Sequence, residues 1–111
     1  MTIKGVKYKL GKGKATVTGA KKNKKSISIA ATIKVSGRKY KVTAIAAKAF
    51  SGNKKLKTVT IRSKTIKKIG RNAFKGISKK AVFKIPKKKM KSYKKMIRKA
   101  SKGVSVTYKK I

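Results

Sequence analysis

The chain contains no aspartate, glutamate, histidine or cysteine among its 111 residues. General acid–base catalysis uses carboxylates and imidazoles most often, and these groups and thiolates are also the usual metal ligands. Their absence excludes most enzyme classes, metal sites and disulfide bonds, so we predict a protein that is not an enzyme and that needs no cofactor or metal. Ser–Lys nucleophilic chemistry stays formally open, although Ser–Lys neighbours arise by chance in so lysine-rich a chain.

Two further features are scarce. No run of about 18 apolar residues occurs, so we expect no membrane span, and the N-terminus lacks a signal peptide's apolar core. We therefore expect either a protein that stays inside the cell or, as we prefer, a mature fragment with a start methionine added. Aromatic residues make up 6%, and only Tyr8 and Tyr108 are candidates for exposed base stacking. With few arginines to read bases, nucleic-acid binding should be non-specific and phosphate-driven.

Positive charge is what the chain has in abundance. It carries 37 lysines and arginines, four of them arginine, for a formal net charge of +37. Hydrophobic residues form 39% of the chain, enough for the modest core of one domain. Because the screening length is about 8 Å at physiological salt and about 30 Å at 0.01 M, we expect stability to rise with salt. A surface of one sign favours polyanion binding.

An internal repeat organises the middle of the chain. Residues 42–52 align with residues 66–76 at an offset of 24, and the match continues from residues 59–61 to 83–85. A period in the twenties indicates a solenoid whose units bury their apolar sides on one another. The matched positions are Val42/Ile66, Ile45/Ile69, Ala49/Ala73, Phe50/Phe74 and Gly52/Gly76.

Each unit combines a strand and a helical turn. Val59-x-Ile61 and Phe83-x-Ile85 alternate, which predicts short strands with those side chains inward. Ala49-Phe50 and Ala73-Phe74 are expected in helical turns that Gly52 and Gly76 close at positive φ.

These motifs resemble the BspA-like class of bacterial leucine-rich repeats. Residues 27–42 resemble the strand and hairpin before the first repeat, and residues 81–96 resemble a terminal repeat with its capping helix. Asn53 and Ile77 replace the family's usual small residue or cysteine, and its acidic turn residues are missing. The resemblance implies an adhesion or surface-binding module, located extracellularly or on the surface of a bacterium.

We therefore predict one α+β domain, a short leucine-rich-repeat solenoid with an N-terminal β-hairpin cap and a C-terminal helix and strand cap. The predicted parts of this domain, residues 1–111, are an N-terminal β cap (1–41), repeat 1 (42–65), repeat 2 (66–86) and the C-terminal cap (87–111).

Both caps have recognisable patterns. Residues 6–19 predict one hairpin, with a basic loop at 21–25 after it, and residues 33–42 predict a second around Ser36-Gly37. A helix of about 15 residues is expected from Pro86, with Gly103 ending it and a strand over Val104-x-Val106-x-Tyr108. Its apolar stripe comprises Met90, Tyr93, Ile97 and Ala100.

Several groups of cations are candidate polyanion-binding residues. Lys54-Lys55 and Lys79-Lys80 fall almost one repeat apart and should form a ridge along one edge, with Lys67, Lys68 and Arg71 as a neighbouring row. A solvated loop edge is the alternative. At the helix start, Lys87, Lys88 and Lys89 form either an anion site or merely a solvated turn, because cations are unfavourable there. The outer face of the helix adds Lys91, Lys94, Lys95, Arg98 and Lys99.

The strand face offers a smaller set. Thr58, Thr60 and Arg62 should point outward on one strand, and Val82, Lys84 and Pro86 on the next. Together these features predict a uniformly cationic monomer that binds polyanions with low specificity: DNA or RNA, teichoic-acid-like polymers, heparin-like glycans or an anionic membrane surface. The alternatives are a redesigned acid-free scaffold with no evolved ligand and a membrane-active cationic protein.

Overall fold

The computed structural model describes residues 2–3, 5–21, 24–101 and 106–111. A 3₁₀ turn, Lys87–Lys89, leads into the helix α1, Met90–Ala100. The strands are β1 Thr2–Ile3, β2 Val6–Leu10, β3 Lys14–Ala20, β4 Ser26–Ile29, β5 Thr32–Val35, β6 Arg38–Ile45, β7 Thr58–Ile61, β8 Lys68–Ile69, β9 Val82–Ile85 and β10 Thr107–Lys110.

The strands form two sheets within the described residues. One has the order β1-β2-β3-β6-β5, with β8 also pairing with β6, and the other has the order β10-β9-β7-β4. All neighbours in the four-stranded sheet are parallel, as successive coils of a solenoid require. The predicted α+β fold, a short leucine-rich-repeat solenoid, is confirmed.

Four successive coils build the solenoid in the described part of the chain. Three of them place one strand (β3, β6 or β8) in the first sheet and the next strand (β4, β7 or β9) in the parallel sheet. In the fourth coil α1 lies against β8 and precedes β10. Backbone bonds join the coils: Phe50 N–H donates to Ala73 O at 2.7 Å, and Phe74 N–H donates to Ala100 O at 2.9 Å. The helix thus takes the place of a further repeat turn.

An aromatic column runs through these coils. The rings of Phe50 and Phe74 stack with centroids 5.3 Å apart, and Phe83 meets Phe74 edge-on at 4.8 Å. Tyr108 continues the column, 6.2 Å from Phe83. The side chains of Val59, Ile61, Phe83 and Ile85 are buried as the alternation predicts, so the inward faces of β7 and β9 are confirmed.

The repeat turns depend on left-handed backbone at two places. Gly52 and Gly76 both have φ of 80°, as predicted. Lys48 and Asn72, also one repeat apart, both have φ of 59°, a conformation that costs most non-glycine residues free energy. Asparagine adopts this conformation more readily than most residues, so Asn72 carries a signal in the sequence, whereas nothing distinguishes Lys48 from the other lysines.

The predicted caps need several corrections. Both hairpins form, but the helix has 11 residues and not about 15, because residues 87–89 form a separate 3₁₀ turn. Pro86 caps that turn and is buried, so its outward placement is wrong. Ser101 follows the helix. The last strand begins at Thr107. Gly103 and Val104, which are predicted to end the helix and begin that strand, lie outside the described residues, as do Lys22 and Asn23 of the basic loop.

Candidate anion-binding surfaces

A buried tyrosine fixes the helix to the solenoid. Tyr93 is 1% exposed, and its hydroxyl donates to Ser63 O at 2.7 Å and accepts from Ile66 N–H at 3.0 Å. Burial raises the pKa of Tyr93, and the hydrogen bond from Ile66 opposes that rise. Ser63 and Thr65 also donate to Val42 O, at 2.7 and 3.1 Å. The two contacts of the Tyr93 hydroxyl hold one side of the helix inward and leave the opposite side to solvent.

The outward side of α1 is almost entirely cationic. Five exposed cations recur at helical spacing and line one open hollow of about 480 Å³, which we call the helix face. Spacings of three and four residues put them on one side of a helix, where like charges repel. The members of the helix face are Lys91, Lys94, Lys95, Arg98 and Lys99.

One aromatic ring supports the helix face. Lys94 Nζ lies 5.2 Å from the ring centroid of Tyr108, a favourable cation–π distance. Burial raises the pKa of Tyr108, and the charge of Arg98 opposes this rise. Tyr8, the other candidate for base stacking, is 5% exposed, and burial also raises its pKa. Tyr8 is therefore no candidate for base stacking, because it alternates with the buried residues of β2 and packs in the core.

A second hollow joins the helix face to repeat 2. It measures about 390 Å³ and is lined by Arg71 and Lys99 above an apolar floor that includes Ile69 and Ala100. Lys99 thus belongs to both hollows. Lys67 and Lys68 are exposed nearby in sequence but line neither of them.

The predicted ridge residues lie on one side of the stacked coils. The exposed side chains of Lys54, Lys55, Lys79 and Lys80 form a group that we call the loop edge. Backbone bonds on either side stack the two loops, from Gly52 N–H to Lys75 O at 2.9 Å and from Ser78 N–H to Leu56 O at 3.3 Å. Lys25 O also accepts from Lys57 N–H at 2.8 Å, so the preceding coil adds to this edge a lysine that the repeat pattern does not predict.

The helix start is electrostatically unfavourable. Lys87 and Lys88 are exposed and Lys89 is partly buried in the 3₁₀ turn. Lys89 is the N-cap of α1, makes no side-chain cap bond, and no acidic residue lies in the first turn. The positive end of the helix dipole therefore faces three ammonium groups.

The outer face of the parallel sheet contrasts with all of these surfaces. Register aligns two outward rows, in which only Lys84 and Lys109 are charged. These eight positions therefore depart from the expected uniformly cationic surface, although cations are register partners in the other sheet, as Lys34 is with Lys39 and Lys14 with Lys41. The two rows are Ser26–Thr58–Val82–Thr107 and Ser28–Thr60–Lys84–Lys109.

Comparisons with known proteins agree with this geometry. The family model described as the BspA type leucine-rich repeat region (6 copies) matches residues 23–110. The chain belongs to this family. A leucine-rich-repeat protein structure from Bacteroides ovatus ATCC 8483 is similar, with a TM-score of 0.66 and 27% identity over 78% of this chain and 23% of that one. The chain thus corresponds to less than a quarter of that relative.

A second solved structure supports the fold alone. The leucine-rich-repeat protein from Bacteroides capillosus ATCC 29799 has a TM-score of 0.63 and 16% identity, over 98% of this chain and 97% of that one. No curated protein sequence matches the chain. Proteins of this family are repeat scaffolds, generally non-catalytic, and typically secreted or on the bacterial surface. Among the residues described, no helix combines the length and hydropathy that a membrane crossing demands.

Proposed function

We propose that this domain binds linear polyanions non-catalytically, with the helix face as the principal contact and the loop edge as a second. The observation that carries the proposal is the convergence of five cations on one hollow in a chain without a single Asp or Glu side chain to neutralise them. The repulsion among these cations falls when phosphate or sulfate groups approach.

The chemistry favours charge density over sequence or sugar identity. Lysine ammoniums act as point charges, and only Arg71 and Arg98 offer a bidentate fork on these surfaces. Polyanion binding of this kind is driven by counterion release, so affinity falls steeply as salt rises. Teichoic-acid-like polymers, heparin-like glycans and nucleic acids all have the required linear spacing of anionic groups. The family's surface location makes the first two the ligands to test first.

Two variants of equal net charge distinguish binding at a defined site from attraction by the net charge of the domain. In the helix-face variant, all five cations of that face become glutamine. In the control variant, the exposed residues Lys9, Lys12, Lys14, Lys39 and Lys41 of the hairpins become glutamine. Both variants lose five charges, so long-range attraction falls equally. Binding of labelled heparin, teichoic acid and duplex DNA is titrated from 50 to 300 mM NaCl.

The proposal predicts that the helix-face variant binds more weakly than the control variant. Its affinity at 150 mM salt should be about tenfold or more below that of the control, and its salt slope should fall by about one for each phosphate that the helix no longer neutralises. Equal affinities of the two variants would contradict the proposal and would indicate a charged scaffold without a defined binding site. Leakage from anionic vesicles at the same concentrations would instead support membrane activity.

A further inference from the structure

A third hollow lies where the N-terminal strands meet the parallel sheet. Its volume is about 320 Å³, and it shares no lining residue with the two hollows beside α1. Its floor is apolar, built from Ile3 on β1, Tyr8 on β2 and Ile33 on β5. Tyr8 and Ile33 are buried and Ile3 is half-buried, so the floor is fixed by the core beneath it.

The rim of this hollow is cationic. Lys34 and Arg62 line it, and both are exposed. Arg62 Nε donates to Ser28 Oγ at 3.3 Å, which holds the guanidinium beside the hollow. A guanidinium has five N–H donors, and the sequence contains no Asp or Glu side chain to accept from the other four.

The placement of arginine strengthens this observation. Only four of the 37 basic residues are arginine, yet Arg62, Arg71 and Arg98 each line one of the three hollows. Arg38, on β6, lines none of the three. Arginine differs from lysine in its planar fork, which matches a carboxylate through two parallel hydrogen bonds. Three of the four arginines thus border one of these hollows, where the planar fork can hold an anion in a fixed orientation.

We propose that this third hollow binds a small organic carboxylate with an apolar body, such as a single-ring or branched-chain acid. Arg62 and Lys34 pair with the carboxylate, and the apolar part of the ligand covers Ile3, Tyr8 and Ile33. Small-ligand sites typically combine a concave apolar lining with a few convergent polar groups. The apolar floor distinguishes this hollow from the one on the helix face, which is lined by cations alone. The proposal does not depend on polyanion binding.

The test is a titration of the intact domain with 3-phenylpropanoate, followed by NMR of methyl and aromatic groups at about 0.15 M salt, where screening limits non-specific attraction to about 8 Å. Saturable shifts are expected at Ile3, Ile33 and Tyr8. The uncharged amide, 3-phenylpropanamide, should bind about tenfold more weakly, because it lacks the charge that pairs with the guanidinium. Acetate, which lacks the apolar body, should produce no saturable shift at the floor residues.

Matched substitutions locate the carboxylate. Arg62→Gln should weaken binding about tenfold. The affinity of Arg62→Lys should fall between those of the wild type and Arg62→Gln. Arg38→Gln removes the same charge at another position, and its affinity should stay within about twofold of the wild type. Lys34→Gln tests the rim independently of the Arg62–Ser28 contact. Equal binding of acid and amide, equal effects of Arg62→Gln and Arg38→Gln, or the absence of saturable shifts at the floor would each overturn the proposal.

Discussion

The helix face and the outer face of the parallel sheet are built from the same lysine-rich sequence, yet they differ sharply in charge. All five residues lining the helix-face hollow are cations, whereas the two outward rows of the sheet hold two lysines among eight positions. Strand spacing alone does not explain the difference, because strand neighbours lie about 4.8 Å apart and yet Lys34 and Lys39 are register partners in the other sheet. The helix face differs because its five cations lie on one side of a single helix and line one hollow.

This contrast changes what the missing acidic residues mean. Their absence alone suggests attraction to anions over the whole surface. The fold instead brings five cations together on the helix face and places Ser or Thr at five of the eight outward positions of the parallel sheet. The function proposed for the domain therefore rests on local density of charge and not on the total of +37.

The largest effect is expected from releasing the helix from the solenoid. Tyr93→Phe leaves Ser63 O and Ile66 N–H without their partner, and this should lower the free energy of unfolding by about 1–3 kcal/mol. Urea unfolding at 0.15 M salt measures it, with Tyr40→Phe, on a half-buried ring, as the control. If both variants lose the same stability, the helix is not held by this tyrosine.

The same pair of proteins gives a pH prediction with a definite sign. The pKa of Tyr93 is raised in the folded state, so the unfolded chain loses its proton first as pH rises above about 10. The stabilisation from Tyr93 is complete below that pH and is lost as pH rises through the folded-state pKa. The stability margin of the wild type over Tyr93→Phe should therefore shrink above pH 10. A margin that widens there contradicts the account.

A smaller gain is expected at the helix start. Lys87→Glu and Lys88→Glu place a negative charge near the positive end of the helix dipole and should each raise stability by about 0.3–1 kcal/mol at low salt. Lys12→Glu, in the first hairpin turn, changes net charge equally and is the matched control. Thermal unfolding in 10 mM and 500 mM NaCl distinguishes the helix-start variants from the control, since the stability gained at the helix start should shrink with screening. Equal gains at all three sites would show that only net charge matters.

The smallest effect concerns the one charged pair on the outer sheet rows. Lys84 and Lys109 are direct register partners, so Lys84→Thr should remove a like-charge contact and raise stability by about 0.2–1 kcal/mol. Lys9→Thr provides the control, because Lys9 already faces Thr16 across the β2–β3 pair. A lower stability for Lys84→Thr than for Lys9→Thr would show that the sheet tolerates stacked cations.

Much of the fold follows from periodic positions in the sequence. The repeated Ile, Ala, Phe and Gly at an offset of 24 predict the coils, and Gly52 and Gly76 predict their left-handed turns. Contacts made by isolated hydroxyls do not follow. The Tyr93 hydroxyl reaches Ser63 O across 30 residues of chain, and the hydroxyls of Ser63 and Thr65 reach Val42 O across 21 and 23 residues. No period in the sequence reveals these contacts.

The candidate surfaces divide in the same way. Helical spacing brings Lys91, Lys94 and Lys95 onto one face, so their placement could be derived before the structure. The third hollow could not, because Ile3, Ile33 and Arg62 come from three separate segments. Alternation in the sequence also predicts the outward positions of β7 and β9, but the contributions of β4 and β10 to the sheet face depend on register and do not follow from it.

Lysine acetylation footprinting, read by mass spectrometry with and without bound heparin, tests the central claim most directly, because nearly every surface region carries a lysine reporter. At 150 mM salt the account predicts strong protection of Lys91, Lys94, Lys95 and Lys99, weaker protection along the loop edge, and little change at Lys84 and Lys109. Equal protection of helix-face, sheet and hairpin lysines would contradict it, since binding would then follow total charge and not the local density of charge.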